Sequence, residues 1–444
     1  MTAGLFVGCA ETADSSRPEK NRDLFLFNPY RNVDFSTTER FKADFHLHST
    51  NSDGTLSPQE NIRRFSELGF DFLPMVDHSY GAGLPAGRFH QRPAGHTILT
   101  SSQVGAGTNS RANAVTWPWS DFGVTEYYNI IPILASEPSR LHHFGSFFTE
   151  WHEEGAPGDW AAGQDVRSIY RMLECATVYD GGQGRFEIFH PERHVTEAAG
   201  SEDFADHLAW LDNTESNALH TAIWYQELLN SFPTVLSMEM FNQDDRHPSR
   251  HIYDRVMRGM MPARPVWLSA NSDDHGGHSG RSVNIMLMQE RTEIAFRQAW
   301  EQGAYFAKSF GAFDPGLLEL DYEYLDELEL PIHERINQRF GDRWAYLPTV
   351  HDIIIDDYSG YIVVKASNYT QFEWITEDGV VVADGNIVNF RTNSAISGYV
   401  RGQLTRRTAD GTIMATTLMQ PFGVGLFNPN SWFFHFTGLD VTTA

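Results

Sequence analysis

The segment FHLHSTNSDG places His46, His48 and Asp53 within eight positions, and neutral imidazole with carboxylate is the ligand set of a divalent-metal hydrolase. A single His-x-His pair is weak on its own, because alternate residues of a strand share a face for many structural reasons. Recurrence gives it weight. Asp77 and His78 follow the apolar run FDFLPMV, Glu137 follows IIPILAS, His190 follows FEIF, Glu239 lies near the end of TVLSMEM, and Asp273 and His275 follow PVWLSAN. Clustered divalent ions lower the pKa of a bound water toward neutrality and clamp the oxygens of a displaced group, which is the chemistry of hydrolysis. Nitrogen and oxygen ligation together suit Zn, Mn or Fe. Cys9 and Cys175 are the only cysteines, so no disulfide framework is expected and the ligands must be His and carboxylate.

These residues must be positioned by the runs that precede them. FKADF, FDFLPMV, IIPILAS, FEIF, TVLSMEM and PVWLSAN have strand length and the Val, Ile, Leu and Phe content of buried strands. Helical stretches separate several of them. In SPQENIRRFSELG, Ser57 suits the N-cap, Pro58 the first turn and Gly69 the residue past the end. The segments from Glu202 to Leu229 and from Thr292 to Glu301 also read as helices. The order is broadly βαβα, which implies a parallel sheet or barrel with its chemistry at the C-terminal strand ends. From about His351 the texture changes to short alternating strands with turns at Tyr358-Ser359-Gly360, Asp378-Gly379, Asp384-Gly385 and Asp410-Gly411, the pattern of an all-β sandwich.

The motifs ADFHLHSTNSDG, MVDHS, IPILASEPSRLHHFGSF, FHPERH and SANSDDHGGHSGR resemble the polymerase and histidinol phosphatase (PHP) superfamily of metallohydrolases over roughly Phe41 to Phe310. The resemblance implies a distorted (β/α)7-type barrel in an α/β fold, followed by an all-β sandwich as in the carbaryl-hydrolase-like branch. It implies up to three divalent metal ions (Zn, Mn or Fe). His46, His48, Glu137 and Asp273 would hold the first, Glu137, His143 and His190 the second with Glu137 bridging, and Asp53, His78 and His275 the third. An extended segment presents only one of His142 and His143 to the metals, and the HFG that follows favours His143; the spacing to His275 favours Asp273 over Asp274. Asp44 and Asp77 are candidates for orienting an imidazole, and Glu239 is expected beside the ligands rather than among them. Arg281, in a Gly-rich loop, is the candidate catalytic contact to a substrate phosphate or carboxylate. The implied activity is phosphoester hydrolysis by a metal-bridging hydroxide on a small-molecule substrate. Carbamate, ester or amide cleavage is the alternative reaction, and a non-catalytic, metal-stabilised protein binding a glycan or partner is the alternative of another class.

The implied organisation is a tail and entry segment (1–40), a metallohydrolase domain (41–316), a connector (317–347) and a C-terminal sandwich (348–444). The insertion from Tyr80 to Thr125, with Arg88, His90, Arg92, His96, Trp117 and Trp119, together with Trp151 and Trp160, is expected to shape access to the site. At 444 residues the chain suggests two or three domains, and 41% apolar with 20% charged residues is a globular composition. Its 33 basic against 58 acidic residues give a net charge of -25, which argues against general nucleic-acid binding. No apolar run approaches the roughly 20 residues of a membrane span. Leu5 to Cys9 resembles the end of a lipoprotein signal without its full apolar segment or basic start. A start placed too far downstream implies a periplasmic or lipid-anchored protein through Cys9; a plain polar tail implies a cytoplasmic one. The oligomeric state is not legible.

Overall fold

The computed structural model describes residues 24–50, 53–77, 115–116, 127–128, 130–133, 135–137, 143–148, 173, 184–215, 218–243, 249–276, 279–311 and 343–426. Strands β1 (Leu24–Phe27) and β2 (Glu39–Ala43) precede a helix, Pro58–Glu67. Its start is as the sequence dictates, with Pro58 in the first turn and the Ser57 hydroxyl accepting from Glu60 N at 3.2 Å. Strand β3 (Phe72–Pro74) follows, then a short pair, β4 (Val115–Thr116) and β5 (Tyr127–Tyr128), and then β6 (Ile131–Ile133), β7 (Ala135–Ser136), β8 (Phe144–Phe147) and β9 (Arg185–Ile188). Three helices, Pro191–Ala199, Phe204–Leu211 and Ala222–Ser231, lead to β10 (Val235–Asn242); the helix Arg250–Met257 leads to β11 (Trp267–Asn271). After β12 (Ser282–Met288), the helix Glu293–Gln302 returns the chain to β13 (Tyr305–Phe310). All six apolar runs contain strands. The helix expected over Glu202–Leu229 is two helices, because Asp212 caps the first and Thr221 starts the second by accepting from Trp224 N.

Antiparallel strands fill the later described residues: β14 (Thr349–Asp356), β15 (Tyr361–Ser367), β16 (Gln371–Ile375), β17 (Val381–Asp384), β18 (Ile387–Asn389), β19 (Tyr399–Arg407), β20 (Ile413–Met419) and β21 (Phe422–Leu426). They do not stand apart from the preceding strands. β20 pairs with β13, placing Ala415 to Met419 opposite Phe310 to Phe306, and one sheet runs β1-β21-β19-β20-β13-β12-β2-β3-β6. Most of the connector from 317 to 347 lies outside the described residues, as do Cys9, Trp151, Trp160 and most of the 80–125 insertion. No described helix is long and apolar enough to cross a membrane.

A second sheet has the order β11-β10-β9-β8-β7. Among the described strands, parallel pairing is confined to β3 with β2 and β6, and to β10 with β9 and β11. The fold is therefore mixed α/β, but the described strands form no closed barrel, contrary to the sequence expectation. The physical reason lies at the seam between β11 and β12. There the Asn284 side chain donates to Ala270 O at 2.9 Å and accepts from Ala270 N at 3.0 Å. Gln420 does the same for Leu268, donating to its O and accepting from its N, both at 2.8 Å. Two side-chain amides thus satisfy the outer edge of β11, where a backbone ladder would otherwise continue. Packed rings fill the space behind, with Phe45 against Phe296, Trp300 and Tyr305.

The helix Arg250–Met257 is tied to β19 by a buried ion pair. Arg401 donates through Nε and a terminal nitrogen to the two oxygens of Asp254, at 2.9 and 2.6 Å, and Tyr399 Oη donates to the same carboxylate at 2.6 Å. Removing one partner leaves a buried charge unpaired, so Asp254→Ala is expected to destabilise by about 3–5 kcal/mol, measurable by denaturant unfolding; a loss below about 1 kcal/mol would refute this role. Lys308 gives a pH signature. Burial, with Arg40 nearby, lowers its ammonium from 10.5 to about 7, and its Nζ donates to Pro348 O at 2.8 Å. The folded chain binds that proton less tightly than the unfolded chain, so the associated instability is full below pH about 7 and fades as pH rises toward about 10.5. Lys308→Met is expected to stabilise the protein at pH about 6.5, with the gain shrinking by pH about 9.5. A pH-independent difference would contradict the buried-lysine account.

Candidate metal centre

The candidate ligands sit where strands end, and backbone bonds stitch those ends together. His48 N donates to Asp274 O, Val76 N to Leu47 O, Glu137 N to Asp77 O and Phe189 N to His143 O. The short segments after β2, β3, β7, β9 and β11 are thereby drawn to one place. Three of the residues they carry, His143, His190 and Asp273, have positive φ of 33°, 25° and 43°. A left-handed backbone at a residue other than glycine costs roughly 1–2 kcal/mol. Such strain persists only where surrounding contacts impose it, and it concentrates at functional sites.

His46 Nε2, His48 Nε2 and Asp273 Oδ1 converge: the nitrogens are 3.1 Å apart, and the carboxylate oxygen lies 3.2 Å from the first and 3.3 Å from the second. Glu137 Oε2 is 3.7 Å from His46 Nε2 and 3.5 Å from His48 Nε2, while its Oε1 contacts His143 Nδ1. On the other side, Asp53 Oδ1 is 3.6 Å from His48 Nδ1 and 3.3 Å from His275 Nε2. Four groups have ligand atoms within 4.8 Å of one another: His46, His48 and Glu137; His46, His190 and Asp273; His48, Asp53 and His275; and Glu137, His143 and His190. Eight of the nine residues expected as metal ligands are therefore brought together. The ninth, His78, lies outside the described residues, as does His142.

The donor set fits a divalent cation. Two ligands at tetrahedral angles around an ion, each roughly 2.1 Å from it, lie about 3.4 Å apart, close to the spacing of the His46, His48 and Asp273 atoms. The buried His190 Nδ1 has no hydrogen-bond partner among the described residues, and a buried polar atom in that state is costly unless something binds it. Charge is correspondingly poised. Burial pulls the His46 imidazole down, but Asp273 and Glu239 hold it well above its ordinary range. Burial acts to raise Asp273, yet His46 and His48 hold it well below the usual carboxylate range. Burial lowers His48, and burial together with His143 pushes His190 far down. His275 rises to about 9 against the effect of burial, through its bond to Asp53 and the charge of Asp273.

Beneath this layer, Glu239 Oε1 accepts from His46 Nδ1 at 3.2 Å and from Asn271 Nδ2 at 2.9 Å, and its Oε2 accepts from His190 N at 2.6 Å. Asp44 and Asp77 both hold backbone. Asp44 accepts from the backbone N of His46 and Ser272, and Asp77 accepts from Ser49 N and Oγ, so both fix the course of the polypeptide beside the ligands. Burial pushes Asp44 up to about 7. Arg281 is buried just ahead of β12, where its carbonyl accepts from Phe310 N. Residues not singled out from the sequence are Glu187, Asn242, Asn271 and Phe189. The Phe189 ring stacks on His46 at 3.7 Å and 12°. Its run FEIF signalled a strand, but nothing in it signalled contact with a ligand.

Phe189 also explains Gly145. A Cβ at that position would press into the Phe189 ring and come within 2.7 Å of Phe147 Cε2. Gly145→Ala is expected to displace the ring that covers His46 and to cost about 1–3 kcal/mol. Thermal melts of the metal-free variant check this; an unchanged melting temperature would count against it.

No family model matches the chain. A 5'-3' exoribonuclease of Haemophilus influenzae is 33% identical over 70 residues, 16% of this chain; the match spans about a quarter (26%) of that enzyme's length. Among solved structures, a two-domain protein of Bacteroides vulgatus described as containing a PHP-like metal-dependent phosphoesterase aligns over 87% of this chain and 96% of its own, at 15% identity and a TM-score of 0.36. An amidohydrolase of Chromobacterium violaceum, with sulfate bound and no metal, aligns over 52% and 87% at 15% identity and a TM-score of 0.27. A protein of Bifidobacterium adolescentis described as a metal-dependent phosphoesterase aligns over 59% and 96% at 13% identity and a TM-score of 0.25. These scores are low, and the reading of the site rests on its own geometry.

Proposed function

We propose that the chain is a metal-dependent hydrolase of the PHP type that cleaves phosphoester bonds in small molecules. The observation that carries this reading is the convergence of His46, His48, Asp53, Glu137, His143, His190, Asp273 and His275 into overlapping groups. Glu137 belongs to two of them, which supports its role as a bridge between a His46–His48–Asp273 position and a His143–His190 position. Asp53 and His275, with His78, would complete a third. Divalent ions held there would supply an activated water at neutral pH and positive charge for the transferred group.

The chain's own residues divide the remaining work by exposure. His46 and Glu137 side chains are fully buried, whereas Asp53 is 54% exposed and His275 35%, so substrate reaches the site from the Asp53–His275 side. Glu239 orients His46 by accepting from Nδ1, which leaves Nε2 turned toward Asp273. Arg281 is the proposed contact for a substrate phosphate. The net charge of -25 favours a small substrate over a polyanion, and the 70-residue stretch that is 33% identical to an exoribonuclease is in keeping with phosphodiester chemistry.

Metal analysis of the purified protein is expected to find about three divalent ions per chain, and the loaded protein to turn over a phosphodiester or phosphomonoester model substrate. Substitutions beyond the ligand sphere alone cost 10- to 100-fold, so His46→Ala is expected to lose more than about 100-fold in turnover. Loaded protein that cleaves an aryl carbamate and neither phosphoester would replace the proposed reaction with carbonyl hydrolysis. Absence of bound metal after gentle purification would defeat the metal reading.

A further inference from the structure

Asn242 closes β10 three residues beyond Glu239, and its Nδ2 lies 3.1 Å from Glu239 Oε2 and 3.1 Å from Asp273 Oδ2. Carboxylate oxygens only accept, so both amide hydrogens are committed and the orientation of the amide is fixed by its partners. Glu239 in turn holds His46 through Nδ1 at 3.2 Å and His190 through its backbone N at 2.6 Å. One amide and one carboxylate therefore grip His46, His190 and Asp273, which also form one of the candidate ligand groups. Two of these three, His190 and Asp273, have the positive φ that needs outside support.

We propose that Asn242 is a positioning residue for the metal centre, acting through Glu239 and Asp273 and touching neither substrate nor ion. This rests on the metal-binding reading above. Because Asn242 occupies Asp273 Oδ2, the carboxylate presents Oδ1, the oxygen 3.2 Å from His46 Nε2 and 3.3 Å from His48 Nε2. Because Glu239 accepts the Nδ1 proton of His46, that ring presents the lone pair of Nε2 toward the same point. Without the amide, Glu239 Oε2 and Asp273 Oδ2 lose the donor they share, and nothing from Asn242 selects which Asp273 oxygen faces His46 and His48.

The test compares wild type with Asn242→Leu, which keeps much of the volume and removes both donors, and with Asn242→Ala, which removes both donors without added bulk or charge if the leucine variant fails to fold. Zn²⁺ affinity is read by competition with a chromophoric chelator, and ligand geometry from the visible absorption of the Co²⁺-loaded protein. Expected are a 10- to 100-fold loss of Zn²⁺ affinity and a changed Co²⁺ spectrum in the folded variants, a readout that simple packing loss would not move. Wild-type affinity and spectrum in a folded variant would overturn the positioning role while leaving the metal reading intact. A wild-type protein that takes up neither ion would overturn the metal reading itself, and this role with it.

Discussion

Among the described residues, seven buried carboxylates gather at these strand ends: Asp44, Asp77, Glu137, Glu187, Glu239, Asp273 and Asp274 are each no more than 1% exposed. Placing such charges side by side out of water costs several kcal/mol each unless donors or cations compensate, and the fold is arranged around meeting that requirement. Asp44 and Asp77 take backbone amides of the loops that carry His46, His48 and Asp273. Glu187 takes Ser237, Ser269 and Asn271, and is still pushed up to about 8 by burial and by neighbouring Glu239. Glu137 and Asp273 have imidazoles as close neighbours. The loops go where the donors are needed, which is why strand ends distant in sequence meet.

The support is layered. Asn271 Nδ2 bridges Glu187 Oε1 and Glu239 Oε1 at 2.8 and 2.9 Å, and its Oδ1 accepts from Phe45 N and Asn284 Nδ2. A displacement in β11 is therefore felt in both carboxylates and in the chain just before His46. In a low-dielectric interior a fully satisfied network of this kind is rigid, and a partly satisfied one is costly. Rigidity here has a chemical use: ligand atoms must be held within a few tenths of an ångström for a cation to select its coordination.

Much of this was legible because it is local. The strands ending at Ala43, Ile188 and Asn271 carry their own signal in the apolar runs, and His46 and His48, His190 and Asp273 follow them within a few residues, so strand and candidate ligand are read together. The cap Ser57 is likewise local and falls where the sequence places it. What the sequence hides is long-range. Asn242 and Asn284 look like ordinary polar residues of a strand; their importance comes from partners 31 and 14 positions away. The joining of β13 to β20 pairs residues more than 100 positions apart, and no periodicity encodes that register. The break between Leu211 and Ala222 was masked because helical residues continue on both sides of it.

The amides at the β11 seam account for how an open arrangement can still support the site. A backbone ladder would fix β11 against β12 along its whole length and impose a barrel's register on the loop that follows. Side-chain pairing at Leu268 and Ala270 satisfies the same backbone groups at two points and leaves Asn271, Ser272 and Asp273 to take the course that Asp44, Glu239 and Asn242 require. One of those amides, Gln420, comes from the turn between β20 and β21, so the later all-β strands supply part of the edge on which the candidate metal centre is built. Fold and site are thus continuous: the residue that completes the edge of β11 lies more than 100 positions beyond the last candidate ligand, and the strand it completes carries Asn271 into contact with both buried glutamates.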